Sequence, residues 1–278
     1  MTLADYLRSA GLLIVLLFFW SIFFSFNAGA TSFFPLPLAG TSFAKERSCE
    51  VMKEEKPLFV LILGQSNAGN HGESAPRSAG KAISLVSHGK CFLATDPLPG
   101  ATGRGGSIWS RLPALLDPKR IAISLLAVES TPVRQWVAPG YLSWELKHEL
   151  EALKRIGVVV DLVIWQQGEA DAREGTTAVA YRGDFLKLRS VLRANGVVAP
   201  VMAALSTRCK AFSGDAVRQA LSDMVGEQND VWMGPDTDKL LGDARIDGCH
   251  FSIKGLDEAA KLWANAIQSA IPALGTNR

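Results

Sequence analysis

The sequence predicts an α/β fold: a three-layer α/β/α sandwich built on a parallel sheet of about five strands. Three observations carry that prediction. Short runs rich in Val, Ile, Leu and Ala alternate with longer stretches whose apolar residues recur at helical spacing. The run Leu58-Phe59-Val60-Leu61-Ile62-Leu63 is apolar without alternation, as in a strand buried on both faces, and it stops at Gly64. The chain has 278 residues, 48% hydrophobic and 20% charged, which suits one domain with a sizeable core once the N-terminus is set aside.

Residues 1–30 read as an export segment. Gly11 to Phe26 carries no charge, Arg8 precedes it, and Ala28 and Ala30 form an A-x-A pattern. That pattern fits a secretory signal peptide cleaved after about Ala30. The length of the apolar run fits equally an uncleaved signal anchor. Either reading places the rest of the chain outside the cytoplasm, membrane-anchored in one case and secreted or periplasmic in the other. Residues 31–56, with Pro35, Pro37, Gly40 and the charged Lys53-Glu54-Glu55-Lys56, read as a linker, leaving 57–278 as the folded domain.

Strands are expected at 58–63, 91–95, 121–127, 159–165 and 200–205. Helices are expected at 108–116, with Ser107 as N-cap, and at 144–155, 177–194, 214–225 and 256–270. Gly157 and Gly196 stand where the second and third should stop. This rhythm gives a flavodoxin-like sheet covered on both faces.

Several function classes are excluded. A net charge of +2 without a Lys/Arg run does not argue for nucleic acid as a main partner. Heptads and internal repeats are absent. The four cysteines are scattered without C-x-x-C spacing, so disulfides are expected rather than a metal centre. Three pairings are possible. Cys209 with Cys249 is favoured because both should lie near the carboxyl edge of the sheet, and Cys49 with Cys91 then follows by elimination.

That edge is where open α/β sheets carry their chemistry. Ser66, in Gly64-Gln65-Ser66-Asn67, stands there as a candidate nucleophile, and a serine hydroxyl needs an adjacent base. Of the four histidines, His148 is expected on the solvent face of a helix and His88 in a polar loop. His71 is expected on a helix after the serine, with no acid placed to orient it. His250 is the stronger candidate, because Asp247 precedes it by three positions in a glycine-containing loop and can accept from its Nδ1, leaving Nε2 for the serine proton.

A third block, Trp165-Gln166-Gln167-Gly168-Glu169-Ala170-Asp171, completes a pattern. Gly64-Gln65-Ser66-Asn67, Trp165-x-Gln167-Gly168-Glu169-x-Asp171 and Asp247-x-x-His250 together resemble the sialate O-acetylesterase-like branch of the SGNH hydrolases, which includes the acetylxylan esterases of carbohydrate esterase family 6. The resemblance spans about residues 57–270. It implies a serine esterase releasing acetyl groups from carbohydrate, without a cofactor. Ser66 would be the nucleophile, His250 the base and Asp247 its orienting acid. The oxyanion hole would combine the Ser66 amide, a glycine amide and the Gln167 side chain. Gly103 and Gly106, in Ala101-Thr102-Gly103-Arg104-Gly105-Gly106-Ser107, both remain open for the glycine role. Glu169 has two readings, a second acid near His250 or a buried prop under the oxyanion hole, and Asp171 reads as a loop or cap residue. The chain departs from the family pattern at Glu129-Ser130-Thr131-Pro132, where a glycine pair is missing; Thr131 and Trp136 keep the pattern. Trp136 and Trp109 are candidates to stack on a sugar ring. Two other functions share the same residues: a polysaccharide O-acetyltransferase, and a non-catalytic carbohydrate-binding protein.

Overall fold

A computed structural model describes residues 44–74, 83–117, 121–212 and 214–274. The chain divides by compactness after Pro37, and every described residue lies in the second unit. The apolar segment 11–26 lies outside the described residues; among them no helix is long and apolar enough to cross a membrane.

The sheet has eight strands, not about five: β1 (Glu46–Arg47), β2 (Leu58–Gly64), β3 (Ser84–Ser87), β4 (Lys90–Leu93), β5 (Ile121–Ala127), β6 (Leu162–Gln166), β7 (Val201–Leu205) and β8 (Val231–Asp236), in the order β1-β4-β3-β5-β2-β6-β7-β8. From β3 across to β8 every pairing is parallel. The hairpin partner β4 runs antiparallel to β3, and β1 antiparallel to β4. Taken alone, β2, β5, β6, β7 and β8 form the flavodoxin-like order second-first-third-fourth-fifth, with β2 at the topological switch point. The three added strands were hidden for identifiable reasons. β3 is four residues long with serine at both ends, β1 has two charged residues, and β8 contains Gly234 and Pro235. A proline is tolerated in β8 because it is an edge strand.

Helices are α1 (Glu50–Glu55), α2 (Leu142–Arg155), α3 (Glu169–Glu174), α4 (Ala178–Ala194), α5 (Asp215–Glu227) and α6 (Ile253–Leu274). The stretch expected as a helix from 108 is a 3-10 segment, Trp109–Ala114, interrupted by Pro113 and without a side-chain cap. Ser107 accepts from Arg111 and Ser110 through its carbonyl instead. Residues 46–55, read as part of the linker, belong to the domain, since β1 pairs with β4 and Cys49 is disulfide-bonded to Cys91.

Alternation of side chains along the strands divides the core in two. Val60, Ile62, Ile123, Leu125 and Ile164 face Trp109, Leu112, Leu256 and Trp263. On the other face Trp165 packs edge-on against Trp136 and Phe185, and Ser124 bonds Glu149 of α2. Trp109 and Trp136 are both fully buried, so neither presents a face to a sugar.

Candidate active site

Ser66 reaches the carboxyl edge because β2 ends at a glycine. A Cβ on Gly64 would lie 2.1 Å from the Gln166 carbonyl, so only glycine lets β6 come this close. Gln65 N–H then donates to Gln166 O (3.3 Å), and Ser66 opens one 3-10 turn, Ser66–Ala68. No α-helix follows. The chain continues as extended backbone against the 102–106 loop, with Asn70 N donating to Thr102 O (2.9 Å) and Gly72 and Gly106 exchanging amide bonds of 3.0 and 2.9 Å.

Those bonds separate the two open glycines. The Gly106 amide is consumed by Gly72. The amides of Ser66 and Gly103 donate to no hydrogen bond among the described residues. Gly103 sits at φ +92°, and a Cβ there would come within 2.3 Å of Asn70 O.

Asp247 organises the histidine loop. Its Oδ1 accepts from the amides of Cys249 (2.8 Å) and His250 (2.7 Å), and its Oδ2 from His250 Nδ1 (2.8 Å). Burial pushes this carboxyl up, but those three bonds outweigh it and hold the pKa down to about 2. The loop is bolted from below. Cys249 is disulfide-bonded to Cys209, and Lys210 N donates to Gly248 O (2.7 Å). The buried Arg245 guanidinium donates to the carbonyls of Leu240, Thr237 and Cys249 and lies over the Phe251 ring.

The turn that bears Ser66 and the loop that bears His250 are joined through neighbouring residues. Asn67 Nδ2 donates to Cys249 O (3.2 Å), and Glu73 N to Phe251 O (2.9 Å). No hydrogen bond joins Ser66 Oγ to His250 among the described residues. His71 stacks on His250, with ring centroids 5.5 Å apart and planes at 27°. Its Nε2 lies 3.0 Å from Thr102 Oγ1 and its Nδ1 3.7 Å from Glu129. An acid therefore does stand beside His71, supplied from the end of β5. Burial nevertheless lowers the His71 pKa; Glu129 opposes the shift and the His250 charge adds to it.

Glu169 and Gln167 are tied to the residues on either side of Ser66, Asn67 and Gln65. Glu169 is buried and accepts through Oε1 from Asn67 Nδ2 (2.7 Å) and Ser206 Oγ (2.9 Å). Its hydrogen bonds run to the residue beside Ser66 rather than to His250. Burial raises its pKa to about 7, against the pull of those bonds and of Arg245. Gln167 is fully buried, and its Nε2 faces Asp171 Oδ2 (2.6 Å), Thr131 O (3.1 Å) and Gln65 Oε1 (3.3 Å). Two N–H bonds cannot serve three acceptors and an oxyanion as well. Asp171 lies inside α3 rather than capping it, and also accepts from Val133 N (2.8 Å), fixing the loop after β5. Arg245 and Asn70 carry much of this framework. Neither stands in a local pattern that marks it as buried, so sequence reasoning passed over both. Among the described residues the only gathering of three His, Cys, Asp or Glu ligand atoms lies outside this site, at His88, Glu145 and His148.

No protein-family model matches the chain, and no curated protein matches it in sequence. Solved structures do match in fold. A protein from Arabidopsis thaliana superposes with a TM-score of 0.60 at 19% identity, covering 77% of this chain and 98% of its own. A point variant of an acetyl-xylooligosaccharide esterase from Geobacillus gives 0.50 at 17%, covering 75% and 93%. A carbohydrate esterase family 3 member from Talaromyces cellulolyticus gives 0.51 at 14%, covering 78% and 99%. The chain shares its fold with carbohydrate esterases. At these identities the likeness is one of architecture alone.

Proposed function

We propose that this chain is an exported serine esterase of the sialate O-acetylesterase-like SGNH branch, hydrolysing O-acetyl esters on carbohydrate. The observation that carries the reading is the Asp247–His250 pair, held by Asn67 against the turn that bears Ser66. Asp247 fixes the imidazole with Nδ1 protonated, so Nε2 takes the proton as Ser66 Oγ attacks the acetyl carbonyl. The proton passes to the departing sugar oxygen, leaving acetyl on Ser66. Water then attacks that ester, giving its proton to Nε2, and the proton returns to Ser66 Oγ as acetate leaves. The oxyanion is received by the free amides of Ser66 and Gly103, a pair worth roughly 2.7–4 kcal/mol per donor. Gln167 serves by clamping Gln65, Thr131 and Asp171, and Glu169 by holding Asn67 on the histidine loop. No step calls for a metal or organic cofactor.

Two disulfides fit folding in an oxidising compartment, and the segment 11–26 supplies the export signal or membrane tether. Acetate release from acetylated xylan, sialic acid and bacterial polysaccharide tests the reading. Wild type should release acetate from at least one and Ser66→Ala from none; equal release by both overturns it.

A further inference from the structure

We propose that His88, Glu145 and His148 form a site for a divalent transition-metal ion, Zn²⁺ by its donor set, which ties the β3–β4 turn to α2. The proposal is independent of the esterase reading. Glu145 and His148 stand three apart on α2 and so share a face. His88 is presented to that face by the hairpin turn, where it holds a left-handed φ of 51°, a region uncommon for residues other than glycine but tolerated by histidine. The turn is fixed by the His88 amide, which donates to Glu149 Oε2 (2.8 Å). One ligand atom from each of the three residues lies within 4.8 Å of the other two. His88 Nε2 and Glu145 Oε1 are already 2.9 Å apart. Zinc bonds of 2.0–2.2 Å put tetrahedral ligands roughly 3.4 Å apart, so closure asks for side-chain rotation of about an ångström.

The surroundings behave as an outer shell. His88 Nδ1 lies 3.0 Å from Ser87 Oγ and 3.9 Å from Glu149 Oε2, which orients the ring with Nε2 outward. The His148 ring is held parallel to Trp144 (5.4 Å, 3°), and its Nδ1 is buried with no hydrogen-bond partner among the described residues. Such an atom costs free energy until something meets it. Two imidazoles and one carboxylate, with water in the fourth position, suit Zn²⁺, Co²⁺ or Cu²⁺ over Mg²⁺ or Ca²⁺.

The test is calorimetric titration of Zn²⁺ into untagged, chelator-stripped protein. One ion per chain is expected, with binding at least ten-fold weaker in His148→Ala, in Glu145→Gln and in His88→Asn, where Asn tolerates the left-handed turn. Co²⁺ should give the absorption of a four-coordinate ion in wild type and lose it in the same variants. His250→Ala should bind as wild type does. Absence of saturable binding, binding that survives the His88→Asn/His148→Ala pair, or binding lost in His250→Ala through capture at the stacked His71–His250 rings would each overturn the proposal.

Discussion

Asp247 accepts three hydrogen bonds, and only the ionised carboxylate offers acceptors for all of them without a competing proton. With the pKa lowered to about 2 from an unfolded value near 3.9, its contribution is complete above about pH 4 and disappears as pH falls through 2. Asp247→Asn should therefore leave the fold intact while reducing kcat/KM by about 10³–10⁴-fold through loss of the correct tautomer; a loss below ten-fold would remove Asp247 from the mechanism. Glu169 has the opposite sign. Its pKa, raised to about 7 from roughly 4.3 unfolded, makes the buried acid stabilising when protonated, an advantage present below pH 4 and lost as pH rises through 7. That loss is worth about 4 kcal/mol. Urea unfolding at pH 5 and pH 8 should show it in wild type, and Glu169→Gln should flatten it. Asp247 was legible because its whole role is local, three residues from its partner. Gln167 was not, because the acceptors that claim its amide come from Gln65, Thr131 and Asp171, three separate segments.

The histidine loop depends on elements outside itself. Cys209–Cys249 joins the segment after β7 to the residue before His250, closing a separation of 40 residues. Loop-closure entropy assigns such a crosslink about 4 kcal/mol. The Cys209→Ala/Cys249→Ala pair should lower the urea midpoint accordingly and reduce acetate release, because the Cys249 carbonyl is where Asn67 and Arg245 meet; full activity with a lowered midpoint would limit the disulfide to stability. The 102–106 loop is equally constrained. Gly103→Ala must leave φ +92° or displace Asn70, so kcat should fall with KM little changed. The buried parallel strands were legible from continuous apolar runs. β3, β1 and β8 were not, since a short or polar strand announces itself only by its neighbours, and β3 is recognisable once β5 lies beside it.

At the scale of the sheet, the candidate site lies where strand order reverses. β2 lies between β5 and β6, and the loops leaving those three strands deliver Ser66, Glu129 and Glu169 to one edge. Three further strands widen the sheet on the far side of β5 without altering that edge. The N-terminal reading has its test at the same scale. Mass spectrometry of the chain recovered from its host separates a start near residue 31, the cleaved signal peptide, from an intact Met1 in the membrane fraction, the anchor. The central claim is that Ser66 is a nucleophile activated by His250, and intact-mass and peptide mapping after treatment with a fluorophosphonate tests it most directly. One adduct per chain on Ser66, absent in Ser66→Ala and slowed by orders of magnitude in His250→Ala, is the predicted result. An unlabelled wild type, or an adduct on any other residue, would contradict it.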